Sequence, residues 1–145
     1  MKVFIAGIMQ GSNPGLELHP QDYRSRIARV IQEAHPQAEI IDPWALHPDS
    51  VNYPPDRAKQ TLLEMTRAAG ESDVVVAYVP QASMGTAMEM YEAYRRGRVI
   101  ISISPLEENW VVQHLSDIVL PDLDAFEAWV RSGGLRRRIK SETTG

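Results

Sequence analysis

Three stretches of this chain, "KVFIAG" at residues 2–7, "DVVVAYV" at 73–79 and "RVIISIS" at 98–104, are apolar and β-branched with little polar alternation. A strand with one wet face alternates apolar and polar residues, whereas a strand covered on both faces reads as an unbroken run. The three runs therefore predict the inner strands of a parallel sheet. Helical periods lie between and beside them, at 23–34, 56–69 and 86–96, with a last helix over about 122–131. "AEIIDP" at 38–43 reads as a second strand and "SDIVLP" at 116–121 as a fifth. This alternation predicts an α/β fold, a doubly wound sheet of about five parallel strands with helices on both faces.

One segment breaks the pattern. "DPWALHPDSVNYPP", residues 42–55, carries four of the chain's ten prolines together with Trp44 and Tyr53. Proline rules out a continuous helix or a central strand there, so the segment reads as a long loop, and its aromatics favour a lid.

With 145 residues, 43% of them hydrophobic, the chain has the material for one core. A single domain over 1–132 is expected, followed by a basic, flexible tail over 133–145 that carries "LRRRIK" and ends in "KSETTG". A net charge of −4 and a pI near 5.5 argue against a nucleic-acid polymer as partner. The absence of cysteine excludes disulfides, thiolate metal sites and a cysteine nucleophile. The first apolar stretch is too short for a signal peptide or a membrane span, so no membrane association and a cytoplasmic location are expected.

In a doubly wound sheet, ligands bind beyond the carboxyl ends of the strands where strand order reverses. The loops "GIMQGSNPG", "PQASMGT" and "SPLEEN" meet there. The first has neither the dinucleotide nor the P-loop spacing, yet Gly7 and Gly11 permit close backbone approach, and Ser12 and Asn13 offer polar contacts. In "SMGTAME", Thr86 and Glu89 match a capping box. Ala87, Met90, Tyr91 and Tyr94 read as the apolar stripe of this helix, which puts Glu89 with Glu92 and Arg96 on the other side. By these residues alone Glu89 is either a cap or solvated carboxylate, or an ionised carboxylate at the ligand edge able to attack a sugar carbon. The four histidines share no metal-binding spacing and no G-x-S-x-G elbow is present, so no metal site and no acyl-transfer chemistry is expected.

"FIAG", then "DVVVAYVPQASMGTAMEMYEAYRRGRVIISIS", then "NWVVQHLSD" resemble the nucleoside 2-deoxyribosyltransferase superfamily, which includes the 2'-deoxynucleoside 5'-phosphate N-hydrolases. The resemblance runs from Val3 to about Asp117. It implies a flavodoxin-like fold, a homo-oligomer with sites completed across the interface, and no cofactor. It implies that Glu89, in the first turn of the helix after strand three, is the nucleophile, with Glu64 as the acid. Substrate-binding positions would be Gly7, Ile8, Gln10, Gly11 and Ser12 in the first loop, Ser83, Gly85 and Thr86 before and within the helix, and Asn109, lent to a neighbouring subunit. Serine at 83, where transferases carry aspartate, leans toward a 5'-phosphate. Phe4 departs from the family's tyrosine in strand one, and Ile8 and Gln10 from its polar and basic first-loop residues. Trp44 and Tyr53 would stack on the base. The expected activity is N-glycosidic cleavage of a nucleoside or nucleoside 5'-monophosphate. Base exchange by a transferase and a non-catalytic nucleotide-binding module are the alternatives.

Overall fold

The structure is a computed structural model that describes residues 1–11, 13 and 17–144. Among these, five strands form one sheet: β1 (Lys2–Gly7), β2 (Glu39–Ile41), β3 (Val74–Tyr78), β4 (Val99–Ile103) and β5 (Ile118–Leu120), in the order β2-β1-β3-β4-β5. Every pairing is parallel; Val3 lies opposite Val74, Val74 opposite Val99, and Ile101 opposite Ile118. The order reverses between β1 and β3, as in the flavodoxin-like arrangement.

The unbroken apolar runs are explained by where their side chains go. Val3, Ile5, Val74, Val76, Val99 and Ile101 point into one core cluster, under α1 (Asp22–Ala34), α6 (Leu123–Arg131) and α7 (Gly134–Thr143). Phe4, Ala6, Val75, Ala77 and Ile100 point into a second, under α3 (Pro55–Glu71), α4 (Met84–Arg95) and α5 (Trp110–Leu115). Each large side chain so buried contributes about 1.5–3 kcal/mol. The edge strands β2 and β5 are three residues each, which leaves little open edge for mispairing.

Four expectations change. The 42–55 segment is not a plain loop: it holds α2 (Pro43–Leu46) and a 3-10 turn at Ser50–Asn52. Asp42 caps α2, accepting from Trp44 N at 3.0 Å, and Pro43 occupies a first-turn position where its missing N–H costs nothing. The expected tail from 133 forms α7. Leu135 is fully buried and Ile139, four residues on, packs against the same cluster, so "LRRRIK" is an amphipathic helix whose basic residues face away from the core. Arg138 is held by Asp117 at 2.8 Å.

The remaining two changes concern α4. It begins one turn earlier than the capping box at Thr86 predicts: Ser83 is extended at φ −144 and is the cap, accepting from Thr86 N at 3.4 Å, while the two hydroxyls bond at 2.8 Å. Glu89 therefore falls in the second turn, not the first. The buried stripe is Thr86, Met90 and Ala93, and Tyr91 and Tyr94 are exposed. Tight packing of α3 fixes this rotation, because a Cβ on Gly70 would come within 2.7 Å of the Glu92 side chain and 2.8 Å of Arg96.

Candidate active site

Beyond the carboxyl ends of β1 and β3 the chain encloses a cavity of about 430 Å³, within the range of about 300–1,000 Å³ usual for small-molecule sites. Its walls come from the loop after β1, from α1, from the 43–53 segment, from α3 and from the start of α4. Gly7, Gln10, Gly11, Ser83, Gly85, Thr86 and Glu89 all line it. A Cβ on Gly85 would meet nothing within 4 Å, so the first-turn backbone of α4 borders open space.

The other expected residues that the structure describes lie elsewhere. Ser12 is outside the described residues. The Ile8 side chain is fully buried in the core, because its carbonyl is fixed by Tyr23 Oη at 3.0 Å and Gln21 Nε2 at 3.1 Å. Trp44 is not in the wall, although Pro43, His47 and Tyr53 from the same segment are. Glu64 is exposed on α3, accepting from Gln60 at 2.7 Å, and does not line the cavity: the neighbours that do, Thr61 and Met65, occupy another face of that helix. Asn109 is an exposed cap of α5, accepting from Val111 N and Val112 N. Phe4 lies in the apolar cluster under α4 and brings no hydroxyl.

A buried arginine, Arg24, organises the site. It is 2% exposed. Its Nε donates to Gln21 Oε1 at 2.8 Å, Nη1 to Ile5 O at 3.1 Å and Asp42 Oδ1 at 3.0 Å, and Nη2 to Gly7 O at 3.1 Å. One cation thus ties α1 to the end of β1 and to the cap of α2. Its signal in the sequence was an arginine on the apolar face of a helix, three and seven residues before Ile27 and Ile31.

Glu89 shares the cavity with Arg24. Burial pushes its carboxyl up to about 8, and the guanidinium of Arg24 works in the opposite direction. The residue keeps partial exposure because the cavity is open, yet protein surrounds its carboxyl closely enough to disfavour the charge. Burial likewise holds the Tyr23 hydroxyl protonated well above the usual phenol range; Arg24 opposes the shift, and Asp42 and Glu89 add to it. Gly7 is required here, since a Cβ would stand 2.2 Å from Tyr23 Oη. Chemically the site offers one protonatable carboxylate beside a fixed cation, in a cavity whose lining is mostly apolar.

The strand order, the register and the cavity at the order reversal can be set against solved structures. The chain superposes on the 2-deoxyribosyltransferase of the psychrotolerant bacterium Bacillus psychrosaccharolyticus with a TM-score of 0.64 and 15% identity, over 88% of this chain and 90% of that one. Its fold is the nucleoside 2-deoxyribosyltransferase fold. The CMP N-glycosidase of Clostridium botulinum shares the nucleoside 2-deoxyribosyltransferase fold at a TM-score of 0.52 and 18% identity, over 90% and 98% of the two chains. A conserved protein from Enterococcus faecalis V583 matches at 0.54 and 20% identity, over 71% of this chain and 62% of that one. No protein-family model matches the sequence, and none of the curated proteins matches it. Among the described residues no helix is long and apolar enough to cross a membrane.

Proposed function

We infer that this protein cleaves the N-glycosidic bond of a nucleoside or nucleoside 5'-monophosphate, with Glu89 as nucleophile. The observation that carries the reading is the Glu89 carboxyl itself, lining a cavity at the order reversal of the sheet beside the buried Arg24, in a fold held in common with a deoxyribosyltransferase and an N-glycosidase. Ionised Glu89 attacks C1' of the sugar, the base departs, and a glycosyl ester remains. Water completes hydrolysis; a second base entering the same cavity completes exchange.

A non-catalytic binding module is the second reading. Phe4, apolar and fully buried beneath α4, favours it, since no strand-one hydroxyl orients the carboxylate. Incubation with a panel of nucleosides and monophosphates, followed by chromatography of the free base, separates the two. Base release that is lost in Glu89→Ala supports the enzyme. Tight binding without release supports the module.

A further inference from the structure

A base leaving a sugar as an anion is a poor leaving group, and a glycosidase of this kind needs a proton at the departing nitrogen. Glu64, the carboxylate that the sequence offers for this, faces away from the cavity. Among the described lining residues, the titratable ones are Arg24, His47, Tyr53 and Glu89. Glu89 is engaged as the nucleophile, and a guanidinium does not release its proton in proteins. Imidazole is the side-chain type that both carries and releases a proton near neutrality.

His47 is also built into its position. It closes α2, its backbone N–H donating to Pro43 O at 2.8 Å, and its own carbonyl accepts from Ser50 N at 3.1 Å at the start of the 3-10 turn. Its Nδ1 is 2.9 Å from Tyr53 Oη. The Tyr53 ring is in turn covered by the Arg57 guanidinium, 3.7 Å from the ring centroid. No other hydrogen bond engages the imidazole among the described residues, which leaves Nε2 as the nitrogen free to exchange.

The geometry points to His47 as the group that gives a proton to the departing base, with Tyr53 holding the ring in place. This inference rests on the glycosidase reading. With the imidazole doubly protonated, Nδ1–H donates to Tyr53 Oη and Nε2–H faces the ligand. A Glu89 oxygen bonds to C1' as the C1'–N bond breaks; the electron pair of that bond goes to the base nitrogen, which takes the Nε2 proton. Nδ1–H keeps its bond to Tyr53 throughout, so the ring need not turn. In the second half, water oxygen bonds to C1', the ester bond to Glu89 breaks, and the water proton restores Nε2–H. The cycle balances, with the free base and the hydrolysed sugar as products. Tyr53 acts through the ring and is a positioning residue.

The test compares leaving groups. Wild type, His47→Phe, His47→Gln and Tyr53→Phe are assayed on the best nucleotide or nucleoside of the panel and on 4-nitrophenyl β-D-ribofuranoside and its 2-deoxy analogue, with and without a 5-phosphate. Nitrophenolate leaves without a proton. Both His47 variants are expected to lose roughly 10²–10³-fold in kcat/KM, which reads the steps through departure of the leaving group, on the natural base and to stay within a few-fold of wild type in kcat/KM on the nitrophenyl glycosides; Tyr53→Phe shows a smaller loss with the same selectivity. Equal losses on both substrate types, or none on either, overturn the donor role while wild-type turnover leaves the glycosidase reading standing. Wild-type silence on every glycoside overturns both.

Discussion

A carboxyl that ionises only near pH 8 behaves oppositely in folding and in catalysis. The folded protein holds the Glu89 proton more tightly than the unfolded chain does, so between about pH 4.5 and 8 it binds the extra proton, and stability falls as pH rises through that window. Below it both states are protonated and the difference vanishes. Glu89→Gln removes the ionisation. The variant is expected to be more stable than the parent at pH 9, by about 2 kcal/mol after allowing for solvent in the open cavity, and equal to it near pH 4. Thermal denaturation at the two pH values measures this, and an offset that is the same at both would contradict it. Catalysis runs the other way, since the nucleophile must be charged. On the glycosidase reading kcat/KM for a nitrophenyl glycoside, whose leaving group needs no proton, climbs toward pH 8, and Arg24→Gln shifts that rise to higher pH because the opposing cation is gone. A pH–rate profile whose acid limb is unmoved by Arg24→Gln would remove Arg24 from the account.

At the scale of elements, the start of α4 and the presence of α7 decide most. Ser83 caps α4, whose first-turn amides and dipole favour an anion, and Ser83 and Gly85 both border the cavity. Nucleoside monophosphates are therefore expected to bind Glu89→Ala more tightly than the matching nucleosides. Ser83→Asp, which keeps the cap but adds a negative charge, should shrink that preference about tenfold. Calorimetric titration reads both, and equal binding of the pair removes phosphate from the reading. For α7, Leu135→Ala should cost about 2–4 kcal/mol by denaturant unfolding, while Arg136→Ala, on the exposed face, should be near neutral.

These same elements show what could be read from the residues. The sheet was legible because an unbroken apolar run has few other uses. The helix boundaries were harder. "SMGT" offers two hydroxyls three apart, each able to cap, and tertiary contacts with α3 select the earlier one. α7 was hidden by its charge: its two apolar anchors, Leu135 and Ile139, are outnumbered by exposed cations. Glu89 and the first-loop glycines were legible as residues near the carboxyl ends of the strands, and they line the cavity there. The Arg24 hub and the His47–Tyr53 pair were not, since both depend on partners brought together from 18 and 6 positions apart in the chain.

For the whole molecule, the outer side of α4 carries an apolar stripe that nothing among the described residues covers. Met84 is 84% exposed, with Met88 and Tyr91 at the following turns, and Trp110 at the start of α5 is 80% exposed. Ala93 of the same helix is in the core. Exposed apolar side chains of this kind suit an interface, and a second copy of the chain is the partner that the family resemblance implies. Light scattering at micromolar concentration should give a dimer or larger, and the double variant Met84→Glu, Tyr91→Glu should give the monomer mass. A wild-type monomer would refute the interface.

The strand order also governs how the chain comes off the ribosome. β1 is made first but lies between β2 and β3, and its far neighbour arrives much later: Lys2 N donates to Asp73 Oδ2 at 2.7 Å across 71 positions. Until β3 is synthesised, a nascent chain that has already paired β1 with β2 carries one open edge bearing Val3, Phe4 and Ile5. At about 5–20 residues per second that exposure lasts for several seconds, long enough for an unpaired apolar edge to meet another nascent chain. The yield of this protein in a cell therefore depends on how well that edge is shielded while residues 42–73 are being added.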